Sequence, residues 1–189
     1  LSKPSSLRAL YFLVLLIIAS CSGDTELPAT RSEIIIRDKS FQGKVTLSKL
    51  KTRDGVRIVL TDEAGKRSDD LIFRYPYYQF DTADIDRDGK TEILVGLIKP
   101  TEFDPQERKR LFILRIDTGQ LRPLWLGSRV CQELVDFKAI EDGRVRTLER
   151  TQNGNYAVGI YQWQDFGLIL LEYAQNEKPY DDAIAFFHI

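Results

Sequence analysis

From Glu33 onward, apolar-rich runs alternate with turn residues. The runs are Glu33–Arg37, Lys44–Leu50, Val56–Asp62, Leu71–Tyr77, Phe80–Ile85, Thr91–Lys99, Arg110–Asp117, Leu121–Leu126, Leu134–Ile140, Arg144–Arg150, Tyr156–Trp163 and Gly167–Ala174. They are rich in β-branched and aromatic residues, which suit a pleated, half-buried surface. Arg144-Val145-Arg146-Thr147-Leu148 alternates strictly and predicts one wet face and one buried face. Ile93-Leu94-Val95 and Leu168-Ile169-Leu170-Leu171 are apolar without a break and predict burial on both faces. Asp54-Gly55, Asp88-Gly89, Asp142-Gly143 and Asn153-Gly154 mark tight turns, where glycine tolerates positive φ.

These twelve runs fall into three sets of four, each with an Asp-Gly turn, although not at one fixed strand position. The expected fold is all-β and antiparallel, with about twelve short strands in three blade-like four-stranded sheets, an incomplete propeller-like array. A β-sandwich without a repeat is the alternative. Two segments break the pattern. Pro100–Arg110 holds two prolines and five charges before Arg110, at Glu102, Asp104, Glu107, Arg108 and Lys109, and reads as a solvated loop with a helical turn after Pro105. Asn176–Ile189 starts polar and ends apolar, as a docking tail would. Asp181 and Asp182 follow Pro179, where they suit the first turn of a short helix.

The N-terminus follows different physics. Lys3 and Arg8 precede an apolar run from Ala9 to Ala19, and the small residues Ala19 and Ser20 precede Cys21. A spanning helix needs roughly 18–20 apolar residues, so this run is too short for a permanent anchor and suits an export signal. An ordinary secretory signal ending near a cysteine is the plainer reading. Ile18-Ala19-Ser20-Cys21 resembles the cleavage motif of bacterial lipoprotein signals, with Ile for the commoner Leu. The resemblance implies lipid on the sulfur and amino group of Cys21. It also implies attachment to the cell envelope, at the outer membrane because Ser22 stands where aspartate would retain the protein in the inner membrane. The expected organisation is a signal peptide over 1–20, a lipidated N-terminus and flexible tether over 21–32, a β-rich domain over 33–175 and a tail over 176–189.

Charge then narrows the partners. The signal carries two of the 27 basic residues and none of the 28 acidic ones, so the remainder holds 25 against 28, a net of −3. With no basic excess or Lys/Arg run, nucleic acid is not an expected partner. With Cys21 lipidated, Cys131 has no partner within the chain and reads as a small buried apolar residue.

One loop carries candidate chemistry. Asp84-Ile85-Asp86-Arg87-Asp88-Gly89-Lys90-Thr91-Glu92 places carboxylates at relative positions 1, 3, 5 and 9. Calcium takes six to eight oxygens, so alternate side chains must aim inward, Gly89 must bend the chain, and the Lys90 carbonyl can add an oxygen. The full EF-hand needs glutamate at position 12, where Val95 stands. A plain acidic hairpin neutralised by Arg87 and Lys90 is the alternative. The pattern resembles the calcium loop of FG-GAP and VCBS-type repeats, the blades of integrin-α-like propellers, over Phe80 to about Lys109. There Glu92 replaces the usual Asp. The resemblance implies that Asp84, Asp86, Asp88 and Glu92 ligate Ca2+ between a blade's first and second strands.

Catalytic signals are weak. His188 is the one histidine, and there is no Gly-x-Ser-x-Gly elbow, phosphate-binding glycine loop or set of His and Cys sufficient for zinc. Asp104, Glu107 and Glu133 read as ordinary loop charges. Tyr75, Tyr77, Tyr78, Phe80, Trp125, Tyr161 and Trp163 suit core packing, or stacking on a sugar or partner where exposed. The expectation is a non-enzymatic envelope lipoprotein, held to the membrane by lipid, whose calcium-stiffened β-domain binds a protein or glycan. The alternatives are a glycan hydrolase with paired carboxylates, or a subunit of an outer-membrane assembly.

Overall fold

The computed structural model describes residues 33–50, 54–102 and 104–189. The signal segment, Cys21 and the tether lie outside the described residues. Twelve strands are followed by one helix. They are β1 (Glu33–Arg37), β2 (Gln42–Lys49), β3 (Val56–Asp62), β4 (Arg67–Phe73), β5 (Tyr77–Ala83), β6 (Glu92–Thr101), β7 (Asp104–Asp117), β8 (Gln120–Leu126), β9 (Glu133–Ile140), β10 (Arg144–Arg150), β11 (Tyr156–Gln164), β12 (Gly167–Lys178) and α1 (Tyr180–His188). Each consecutive set of four forms one antiparallel meander, and none closes into a barrel. The architecture is all-β.

The sheets stack as layers. Ile93, Val95 and Leu97 of β6 share a core with Ile36, Val45, Ile58 and Leu60 of the first sheet. Leu94 between them shares a second core with Phe137, Val145 and Tyr161 of the third sheet. Period-2 alternation thus sends successive residues of β6 into different cores, which is why this strand is apolar without a break. The third sheet's other face packs Leu148 and Val158 against Ala183 and Phe187 of α1. Among the described residues no helix is long and apolar enough to cross a membrane.

The second and third sheets cross. Lys109 of β7 donates to the Val135 carbonyl of β9 at 2.8 Å, while Gln79 of β5 donates to the Phe137 carbonyl at 3.1 Å. Farther along β9, the Ala139 N–H donates to Asp81 of β5 at 3.0 Å. β9 therefore runs over β7, β6 and β5 in turn, and Gly96 of β6 lies beneath the crossing. A Cβ there would fall 2.7 Å from the Tyr78 ring and 3.0 Å from Phe137.

Several expectations change. Pro100–Arg110 is mostly strand, because β6 runs to Thr101 and β7 starts at Asp104. This part of β7 extends past β8 and pairs with β6 alone, so Pro105 sits on an edge where its missing N–H is tolerated. Three of its charges, Asp104, Arg108 and Arg110, are paired as well. Arg110, 4% exposed, donates to Asp104 at 2.8 Å, and Arg108 meets Glu133 at 3.3 Å. Strand β4 spans Arg67–Phe73, not Leu71–Tyr77, because Asp69 and Asp70 break the apolar pattern yet hold ladder positions. Asp69 accepts the Leu121 N–H, and Asp70 pairs with Arg57. Ile169 and Leu171 are 41% and 47% exposed because β12 is an edge strand. Cys131 is exposed on the β8–β9 connection. The domain runs to Lys178, and the tail docks as α1 with Asp181 and Asp182 in its first turn.

Candidate metal loop and adjoining groove

The acidic loop joins β5 to β6, the first two strands of the middle sheet. Asp84, Asp86 and Asp88 each bring one carboxylate oxygen within 4.8 Å of the others. Local turn chemistry shapes this convergence. Asp84 Oδ2 accepts the Gly89 N–H at 2.9 Å, Asp86 accepts the Asp88 N–H at 3.2 Å, and Asp88 accepts the Lys90 N–H at 2.9 Å. The Lys90 ammonium reaches Asp88 at 2.7 Å. Arg87 and Gly89 have φ of 62° and 81°, so the loop reverses twice into the left-handed region.

Glu92, the first residue of β6, is 2% exposed and stands apart from the triad. Its Oε2 accepts the Ile85 N–H at 2.8 Å. Its pKa is raised to about 7, chiefly by burial and with help from the negative charges of Asp86 and Asp88, against the lowering effect of the Ile85 hydrogen bond. Asp84 Oδ1 is buried with no hydrogen-bond partner. A buried carboxylate oxygen without a donor is costly, and a cation among the triad would supply the missing partner. The residues present therefore fit a hard cation with oxygen ligands.

The loop is tied to both neighbouring sheets. Asp38, in the β1–β2 turn, accepts the Thr91 N–H at 2.7 Å, while its other oxygen accepts the N–H groups of Ser40 and Phe41. Arg87 Nε donates to the Asp142 carbonyl in the β9–β10 turn at 2.9 Å. The first turn of each sheet thus meets at one end of the stack.

Beside this junction lies an open groove of about 730 Å³. It is lined by Ala83 at the end of β5, by Asp84 and Arg87 of the loop, by Asp142 and Gly143 of the β9–β10 turn, and by Ile140, Arg144, Gln162 and Leu171 of the third sheet. Arg144 pairs with both Ile140 and Gln162 in the ladder, so these three form one row. Leu171 is the extra residue of a β-bulge opposite Ile160 and Tyr161, which re-aims it. This groove was invisible in the sequence, because Arg87 and Arg144 are brought together only by sheet stacking.

A second polar cluster was also missed. Glu149 is fully buried and accepts from Thr147 at 2.6 Å and from the Gln132 N–H at 2.7 Å. Tyr161 accepts the Cys131 N–H at 3.0 Å and is fully packed, its pKa pushed up by burial and then by Glu149. These bonds pin the β8–β9 connection to the third sheet. The aromatic set is mainly structural: Phe80, Trp125 and Tyr161 are buried, and Tyr78 packs edge-on to Phe137 at 6.0 Å. His188 is exposed, its ring 5.1 Å from that of Phe187.

No protein-family model matches this chain, and no curated protein or solved structure matches it.

Proposed function

We propose that this chain is a non-enzymatic bacterial envelope lipoprotein, anchored through Cys21, whose β-domain works by binding. The domain is stiffened by one calcium ion held by Asp84, Asp86, Asp88 and the Lys90 carbonyl, with Glu92 bracing the loop through the Ile85 N–H, and it takes a protein or glycan partner. The observation that carries the metal reading is the buried, partnerless Asp84 Oδ1 within a three-carboxylate cluster. The ion would offset carboxylate repulsion at the point where turns of all three sheets meet. The binding reading is favoured over hydrolysis by how the groove's carboxylates are engaged: Asp142 pairs with Arg144 at 3.1 Å, and Asp84 Oδ2 holds Gly89. The lipid reading rests on Ile18-Ala19-Ser20-Cys21.

Melting curves test the metal. Extracellular calcium modules bind at about 10⁻⁴–10⁻³ M, so millimolar calcium should raise the Tm of the native protein and not that of Asp86→Ala. An equal shift in both, or none in either, rejects it. Mass spectrometry of the native N-terminus tests the anchor, and an unacylated Cys21 rejects it.

The assembly-subunit reading draws on a separate observation. β12 ends its sheet with no further strand beside it among the described residues; Ile169 and Leu171 are exposed along it, as is Phe166 in the turn before it.

A further inference from the structure

We propose that α1 is exchangeable between two copies of this chain: in a dimer, each copy's helix leaves its own third sheet and docks on that of the other. The inference stands apart from the calcium and lipid readings and depends on neither.

The hinge comes first. A single residue, Pro179, separates the end of β12 at Lys178 from the start of α1 at Tyr180. Pro179 is extended, with φ of −54° and ψ of 154°, and a proline also steers the residue before it away from helical geometry. Glu177 lies just ahead in the left-handed region, at φ 51°, a conformation that costs an L side chain energy. It is held there from the β10–β11 turn: its Oε2 accepts the Thr151 hydroxyl at 3.3 Å and the Asn155 side-chain amide at 3.1 Å. While α1 folds back on its own sheet this connection stays tight. When the helix crosses to a second copy the connection can extend and Glu177 can relax, which is why short strained hinges favour swapping.

The helix itself is held at few points. Of its nine residues Ala183 and Phe187 are buried, and they share a core with Leu148 and Val158. No side chain caps its first turn, and a helix this short does not persist without packing. Two polar atoms at the docking site, Arg146 Nε and Gln175 Oε1, are buried with no hydrogen-bond partner among the described residues. Gln175 lines one crevice with Asp182 and Phe186, and the Arg146 guanidinium reaches the Phe186 and Phe187 carbonyls at 3.4 Å. Undocking gives both atoms water, which offsets part of the lost apolar burial. It also bares the strip around Leu148 and Val158. The element whose fit to that strip is already shown is α1 itself, so a second copy's helix re-forms the same contacts without the strain at Glu177. The opposing cost is the entropy of association, which makes the exchange concentration-dependent.

The test uses the full chain with Cys21→Ser and Cys131→Ser, so that introduced cysteines react alone. The rings of Tyr156 and Tyr180 lie 5.0 Å apart between centroids. Chains carrying Tyr156→Cys are mixed with chains carrying Tyr180→Cys and treated with a short bismaleimide. Exchange brings the two positions together across chains, so a mixed cross-linked dimer should form, and in sedimentation the dimer-to-monomer ratio should rise about tenfold for a tenfold rise in free monomer. Inserting three glycines after Lys178 lets the helix fold back unstrained and should cut the dimer fraction roughly tenfold or more. Asn155→Ala loosens the hold on Glu177 and should raise it. Melting curves verify that each variant folds. A chain that stays monomeric at every concentration overturns the proposal. So does a dimer that gives no mixed cross-link, which would be a side-by-side assembly, and so does a dimer fraction that the glycine insertion leaves unchanged.

Discussion

Gly143 packs directly against the carbonyl of Asp84: a Cβ on residue 143 would fall 2.4 Å from that oxygen, and its φ is 63°. The same turn is tied to the acidic loop by Arg87 Nε, which donates to the Asp142 carbonyl at 2.9 Å. Gly143→Ala should therefore cost about 2 kcal/mol or more in urea denaturation, from backbone strain plus forced separation of loop and turn. Gly154 supplies the control. Its φ is 84°, but nothing lies within 4 Å, so Gly154→Ala should cost only the left-handed penalty of about 1 kcal/mol.

The crossing of β9 over β6 makes a coupled prediction. Gly96→Ala should destabilise by about 1–3 kcal/mol through overpacking against Tyr78 and Phe137. Phe137→Ala, at a fully buried site, should cost about 3–5 kcal/mol. The double variant should cost less than the sum, because the added methyl enters the space the ring vacates. Strict additivity in chemical denaturation would show that the two sites do not touch.

Asp104 gives a pH signature. The Arg110 guanidinium holds its carboxyl below the ordinary value of 3.8, against a smaller opposing effect of desolvation. The folded state thus prefers the ionised form. Its stabilising contribution is present above the unfolded pKa and is lost as pH falls through the lowered folded value. Asp104→Asn should lower Tm at pH 7 and converge with the native protein near the acid limit. A constant Tm difference down to that limit would show that the ion pair is not the cause.

Cys131 should react with a thiol reagent in the folded protein. In a Cys21→Ser background it is the remaining cysteine and is exposed. Titration without denaturant should label one thiol per chain. Labelling only after unfolding would return Cys131 to the interior.

What sequence alone determined here is local. Alternation and turn residues specify the strands and their grouping, because side-chain direction along a strand and positive φ at glycine are properties of neighbouring residues. The spacing of Asp84, Asp86 and Asp88 likewise brings them together, since one turn aims them. Tertiary structure decided which apolar runs have a second layer. Ile93-Leu94-Val95 and Leu168–Leu171 look alike in sequence, yet one run is buried between two sheets and the other forms an edge. It also decided that Asp104 is paired, that Cys131 is exposed, and that Arg87 and Arg144 share a groove. Each depends on which sheet lies beside which, and that is set by burial summed over the whole stack, a quantity no short window of the chain contains.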